Sequence, residues 1–502
     1  MKGRLFVTCW ILIALHFATN IVREHYPAFA LVDHGNFQCD EYAGFHSDIF
    51  EHRDGHHYVG NQVLASVVAA APLLLFDPLL DYVQERSLAR RRANPGQDRE
   101  YDTEYVGRQE FFRKVQERGL AERFGLAAAL TTTFVMAPLA AWCAVLVFSF
   151  LCARGVARGR ALWLALLFTF GTPVFYRAVS LNHNFMLMLV TFGAFLVLWP
   201  QPPREGPLSA RRRFAAGVLT GATLAFDYVG AVLIPCLFAY LLWTHARPGG
   251  IKGALRAAPA FVLGTLPPVL FLWGTQWWMY GDPFKPGQAW MPVQNQFVEV
   301  GARGMTLPDP QVFWQNLAAP AWGLFVFGPL FVLAFVPALY RPPERRVLPP
   351  REQVFVAGLS LVFMLFCAMN QYSRLQWNTG FRYLLPLVPF LFLALADHLV
   401  RAPRAVLAVV TAAACGYTWV LTTVRYTPPT GPGDVVGESF RRVFADGLQF
   451  PWLSVVRRTG TSLPLAGAAW FPWALLAATA VVIALVWCLP LRRAAGSTGK
   501  GV

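Results

Sequence analysis

The sequence predicts an all-α polytopic membrane protein of about twelve transmembrane helices with a large first outer loop. Three observations predict it. Of 502 residues, 56% are hydrophobic and only 14% charged, whereas soluble domains carry nearer a quarter. Apolar runs long enough to cross a bilayer, about 20 residues, recur along the whole chain. Lys and Arg are confined largely to the short segments between those runs, so the net charge of +15 reads as a topology signal rather than a nucleic-acid surface.

The first run, Leu5 to Val22, follows Lys2 and Arg4. Ala28-Phe29-Ala30 loosely fits a signal cleavage site, but the many later runs favour a retained anchor over residues 1–22. Further runs fall near 124–152, 161–178, 185–200, 214–226, 229–244, 257–278, 321–340, 352–369, 384–399, 404–423 and 470–490. Their length and Leu/Ala/Val/Phe content make them helices, because only helices or closed barrels satisfy the backbone in lipid. No alternating ten-residue pattern suggests a barrel.

Loop charge orients them. Segments 153–160, 201–213, 245–256, 341–351, 400–404 and 491–500 carry 19 Lys/Arg in 59 residues; segments 179–184, 227–228, 279–320, 370–382 and 424–469 carry 9 in 109. The dense set belongs in the cytoplasm. Both termini are then cytoplasmic, in the cytoplasmic (inner) membrane of a cell with an outer-facing site. Residues 124–423 form the main bundle, 424–469 an outer loop, and 470–502 the last helix and tail.

Residues 61–80 are apolar enough to cross, and 81–123 carry ten Arg/Lys. A crossing at 61–80 would invert the charge bias of every later loop. The segment therefore reads as interfacial or re-entrant within one outer loop, 23–123, with YVGRQEFFRKVQERGL lying along lipid headgroups.

Chemistry-bearing residues concentrate in that loop. Between Arg23 and Tyr58 lie seven carboxylates, among them Asp40, Glu41 and Asp48, and six of the ten histidines. This density could hold a divalent cation, the one cofactor the composition suggests, but no HExxH or comparable ligand spacing occurs. Of eight cysteines only Cys39 lies outside the apolar runs, and there is no CxxC pair, so neither disulfides nor a thiolate metal site is expected. Three further groups share the outer face: Asn182-His183-Asn184, Asp227-Tyr228, and Arg374, Arg382 and Tyr383 within NQYSRLQWNTGFRYLLP. Each alone has a plain reading as a helix cap or a snorkelling Arg. An acid at membrane depth is a functional candidate, and the convergence of all three on one face is more informative than any single residue.

The order of elements supports a resemblance. A first span is followed by an outer CDEYAGFHSDIF segment, a GHHY turn, an apolar helix, a short outer loop, a Trp-rich WGTQWWMYGDPF and an FRYLLPLVPFLFLAL helix. This resembles the GT-C superfamily of integral-membrane glycosyltransferases, particularly the lineage of protein O-mannosyltransferases and the aminoarabinose transferase, over most of the chain to about residue 400. The resemblance implies a polyprenyl-phosphate sugar donor, a lipid, glycan or protein acceptor, and surrounding membrane lipids as partners. It gives Asp40 and Glu41 the catalytic role, with Asp40 as base and Asp48 in reserve. It leaves His183, Asn184, Asp227, Tyr228, Arg374, Arg382, Tyr383 and Tyr58 as substrate-binding candidates. Two departures stand out. After Tyr58 the chain reads Val59-Gly60-Asn61-Gln62, where relatives carry a basic motif, and the next short outer loop carries Asn182-His183-Asn184 in place of an acid.

Competing classes are a polytopic lipid or solute transporter or flippase, a metal-dependent oligosaccharyl- or phosphotransferase, and a noncatalytic assembly or sensor protein. No half-length repeat of the kind common in transporters is present.

Overall fold

The computed structural model describes residues 1–96, 98–199, 208–292, 296–336, 346–374, 380–426, 433–460 and 465–489. Parts of the expected loops 201–213, 341–351, 370–382 and 424–469, the end of the 321–340 run and the tail after residue 489 lie outside them. Helix makes up 72% of the protein. Among the described residues five helices are long and apolar enough to cross a membrane: Leu120–Ala153, Gly250–Tyr280, Pro350–Met369, Arg404–Val424 and Phe471–Cys488. Shorter apolar helices run over His183–Leu198, Gly230–Ala246 and Leu385–Leu399.

Small residues set the close packing, as they do where helices must meet without a hydrophobic drive between them. Lys2–Leu15 lays Leu5, Cys9 and Ile13, each four residues apart and fully buried, along Ala137–Ala153. That helix answers with buried Ala137, Ala140, Ala141 and Ala144. Between Ala210–Phe226 and Gly250–Tyr280 the backbones nearly touch. A Cβ on Gly217 would sit 2.1 Å from the Phe261 carbonyl oxygen, and one on Gly264 would sit 2.1 Å from that of Phe214. Only glycine permits this crossing.

The Leu120–Ala153 helix widens into a π turn over Thr132–Met136. A π turn displaces carbonyls from the usual helical ladder, and here the Thr133 carbonyl accepts from Trp10 Nε1 at 2.6 Å. Just before the π turn, Thr131 Oγ1 lies 3.1 Å from His25 Nε2. The turn therefore ties Leu120–Ala153 to Trp10 in the first helix and to His25 at the start of the segment that follows it.

Several expected elements differ. The 61–80 segment, expected to be interfacial or re-entrant, is not among them: it forms Leu64–Leu75, which turns 76° into Asp77–Ala93, a broken span or a re-entrant loop. The run at 161–178 divides into Arg158–Phe170 and Val174–Ala178, because Gly171-Thr172-Pro173 interrupts it. Over its described part, 321–336, the run at 321–340 is not one continuous helix: the short α-helix Leu324–Phe327 ends at Gly328, and Pro329–Phe335 is 3-10. Non-helical backbone at such an apolar depth is tolerated where protein covers it, and Leu324, Phe327 and Phe331 are fully buried, with Pro329–Phe335 packed on Val388–Leu399. The expected break at 245–256 is present: Gly230–Ala246 and Gly250–Tyr280 are separated by non-helical backbone at Gly250, whose φ of 58° suits glycine. Residues 23–123 also contain a two-stranded antiparallel sheet, Ile49–Glu51 with His57–Val59, in which Phe50 faces Tyr58.

Candidate functional site

The first apolar helix ends before Arg23 and Glu24, which enter the short helix His25–His34. Asp48 precedes the Ile49–Glu51 strand. Its backbone N–H donates to His46 Nδ1 at 3.0 Å, and its carbonyl accepts from Gly60 N at 3.1 Å. His183 opens the His183–Leu198 helix, which the Asn182 side chain caps by accepting from Phe185 N. Asp227 ends Ala210–Phe226 in extended backbone and accepts from Val229 N at 3.2 Å through Oδ1. Each of these groups is held at an element end, where backbone donors and acceptors need partners.

The chain folds these four segments onto one point. Arg23 Nη1 donates to Asp48 Oδ2 at 2.8 Å and its Nε to Glu24 Oε1 at 3.2 Å. His183 Nδ1 is in direct contact with Glu24 Oε1, and its Nε2 lies 3.1 Å from Asp227 Oδ2. Arg23 Nη2 lies 3.3 Å from the same Nε2. Asn184 Nδ2 donates to Asp227 Oδ2 at 3.2 Å, and Asn61 Nδ2 to Asp48 Oδ2 at 3.3 Å. Gln288 Nε2 steadies Asn61 through its Oδ1 at 2.9 Å. Glu24 and His183 are buried, and the Asp48 side chain is 17% exposed, open enough to meet a substrate.

Both ring nitrogens of His183 face carboxylate oxygens, so the ring acts as an imidazolium donating on each side. The cluster then holds three carboxylates against Arg23 and His183, one negative charge in excess. Arg382 lies within electrostatic reach of Asp48 and His46 and makes up the difference. Burial pushes the Asp48 carboxyl up, but Arg23 and His46 outweigh it and hold it below its ordinary value. Burial likewise raises Glu24, and His183 and Arg23 then pull it well below the usual range. In Asp227 the same contest, with the His183 bond as the main opposing influence, also ends below the ordinary value.

Asp48 uses only Oδ2 in these bonds; its Oδ1 makes no hydrogen bond to the described residues, and His46 Nδ1 lies 3.9 Å from it. One anchored oxygen and one open oxygen is an arrangement suited to taking a proton from an incoming hydroxyl. Among the described residues no group of three or more His, Cys, Asp or Glu converges to hold a metal. Glu24 and Asp227 approach opposite nitrogens of His183 rather than one shared point.

The residues expected from sequence divide. Asp48, His183, Asn184 and Asp227 come together, with Arg382 and Tyr383 beside them. Arg382 Nη2 donates to Tyr383 Oη at 3.0 Å, its guanidinium over the ring at 4.7 Å. Tyr228 flanks the group, its hydroxyl accepting from Gln276. Asp40 and Glu41 stand outside it. Asp40 binds His56 Nδ1 at 2.8 Å and the His57 backbone at 2.6 Å, and Glu41 pairs with His34 at 3.1 Å while 61% exposed. Tyr58 donates to Asp54 at 2.9 Å within a cluster containing Phe37, Phe50 and Tyr280. Arg374 clamps Gln315, Gln371 and Asp309.

Arg23, Glu24, His46, Asn61 and Gln288 complete the site without having been picked out as site residues. Arg23-Glu24 at the end of an apolar run looks like any interfacial charge pair. Asn61 was visible only as the place where a basic motif is missing, and it is that residue which binds Asp48. No family model, curated protein or solved structure matches the chain.

Proposed function

We propose that this protein is a membrane glycosyltransferase that moves a sugar from a polyprenyl-phosphate donor to an acceptor hydroxyl on the outer face of the cytoplasmic membrane. The observation that carries the reading is the convergence of Asp48, Arg23, Glu24, His183 and Asp227 from four separate segments, with Asp48 Oδ1 left open. The resemblance to GT-C enzymes supports the donor class.

In the proposed reaction the acceptor oxygen attacks the anomeric carbon in a single inverting displacement. Its proton passes to Asp48, the bond from the anomeric carbon to the phosphate oxygen breaks, and that oxygen keeps the electron pair. Asp48 replaces Asp40 as the proposed base because Arg23 and Asn61 fix it beside the other groups, whereas Asp40 is occupied by two histidines. Arg382 is the proposed partner of the leaving phosphate, since a guanidinium fork binds phosphate bidentately. The test is sugar transfer by purified protein from a synthetic prenyl-phosphate sugar, with the Asp48 variant as control.

Arg382→Ala should weaken donor binding and turnover most. Arg382→Lys keeps the charge but loses the fork and should fall between the alanine variant and wild type. A lysine variant equal to wild type in donor KM and kcat would make Arg382 a headgroup anchor.

The proposed topology has twelve crossings, made up of the five long helices, the three shorter apolar ones, Lys2–Leu15, Arg158–Phe170, Ala210–Phe226 and the broken segment 324–335, with residues 23–123 outside. Single cysteines at Ser87 and Asn94 of a cysteine-free variant should react with an impermeant maleimide in intact cells. Reaction only after permeabilisation would make 61–80 a crossing.

A further inference from the structure

A cavity of about 900 Å³ lies between the first outer loop and residues 423–459. That volume is at the upper end for small-molecule sites, roughly 300–1,000 Å³. Phe111, Phe112 and Trp452 supply part of an apolar wall. The same wall carries seven arginines and, among the described residues, three carboxylates, Asp98, Glu122 and Asp446, with Arg91 held by Asp98 at 3.0 Å. Arg90 pairs with Glu122 at 3.2 Å, Arg458 with Asp446 at 3.7 Å, and Arg442 with Glu104 and Glu438.

Arg108 and Arg425 have no carboxylate partner among the described residues. The Arg108 guanidinium lies over Tyr105 at 4.2 Å. Arg425 donates to the Tyr176 carbonyl at 2.8 Å and to Ser180 Oγ at 3.2 Å, which leaves its Nε with no acceptor. Its backbone is left-handed, with φ at 48°, a conformation uncommon outside glycine. Burial and the neighbouring Arg108 both disfavour the Arg425 charge. An anion between the two arginines would relieve both. His46 also lines the cavity, and its Nδ1 accepts from Asp48 N.

A neutral glycan would not call for this excess of positive charge, and a free anion would leave the aromatic wall uncovered. We propose that the cavity binds an anionic amphiphile, its acidic group against Arg108 and Arg425 and its apolar part along Phe111, Phe112 and Trp452, and that this molecule is the acceptor whose hydroxyl meets Asp48 past His46. The acceptor role rests on the transferase reading; the binding does not.

The probe is a photoactivatable phosphatidylglycerol added to the full-length protein in neutral detergent, with the matching phosphatidylcholine and inorganic phosphate as separate arms. Phosphatidylglycerol should label residues 106–117 and 451–458, and Arg108→Glu should cut that labelling by about 10-fold or more, the equivalent of one charged hydrogen bond. Gly125 lines the cavity, and a Cβ there meets nothing within 4 Å. Gly125→Leu therefore fills the space without a clash, gains helix propensity, and should also block labelling. Equal labelling by both lipids, or labelling unaffected by both variants, overturns the site. Protection by millimolar phosphate as complete as that by unlabelled phosphatidylglycerol also overturns it, in favour of a soluble phosphate.

In the transfer assay Gly125→Leu should raise KM for the hydroxyl-bearing anionic lipid and not for the donor. A rise confined to donor KM overturns the acceptor assignment. Lipid labelling as expected in a protein that transfers no sugar from any prenyl-phosphate donor supports the site and overturns the transferase reading with its acceptor.

Discussion

Asp48→Asn should lower sugar transfer by about 10²–10⁴, the usual cost of removing a general base, while Asp40→Asn should retain most of the wild-type rate. The two carboxylates lie eight residues apart in one acidic loop, yet their surroundings differ. Asp48 is held by Arg23 and Asn61 with one oxygen open. Asp40 already accepts from His56 and the His57 backbone at an exposed position. Asn keeps the shape and the Arg23 contact of residue 48 but cannot take a proton. Donor binding, measured separately, should therefore survive in the Asn variant. Because Arg23 and His46 hold the Asp48 carboxyl below its ordinary value, the base stays ionised to lower pH than a free aspartate. The acid limb of the rate profile should lie below the usual carboxylate range. Wild-type transfer by Asp48→Asn, with loss in Asp40→Asn, would falsify the assignment and return the base to Asp40.

His183→Ala should give the largest loss of stability among single changes at the site. The ring is the partner that Glu24 and Asp227 share, and removing one member of a buried charge network costs about 3–5 kcal/mol. The midpoint of thermal unfolding in detergent should fall clearly. His34→Ala breaks the exposed pair with Glu41 and should change stability by less than about 1 kcal/mol. Adding Glu24→Gln to His183→Ala should recover part of the loss, because it removes the carboxylate left stranded. The sign of the pH dependence follows from Glu24, whose folded value is depressed. Its stabilisation is present in full above the unfolded carboxylate pKa and disappears as pH falls through the folded one. The gap between wild type and His183→Ala should therefore narrow toward acid. A gap constant with pH, or a fall no larger than that of His34→Ala, would remove the network from the account.

The sequence by itself determined the helical, membrane-spanning character of this protein, because apolar run length and lipid solvation leave the backbone almost no other choice. It also marked Asp227, His183 and Arg382 as polar groups at the ends of apolar runs, where solvation makes them costly unless they have a partner or a role. It did not show where the helices break. Gly171-Thr172-Pro173 and Gly328-Pro329 carry apolar neighbours that keep mean hydropathy high, and only burial beneath other segments makes those turns affordable. Nor could it rank Asp48 over Asp40. Both sit in the same acidic stretch, and what separates them is contact with Arg23, Asn61 and, through Arg23, His183, which lies 160 residues from Arg23 in the chain. Spacing along one loop carries no record of such a partner. That choice is made by the packing of the bundle, which brings the end of the first helix, the start of His183–Leu198 and the end of Ala210–Phe226 to one place.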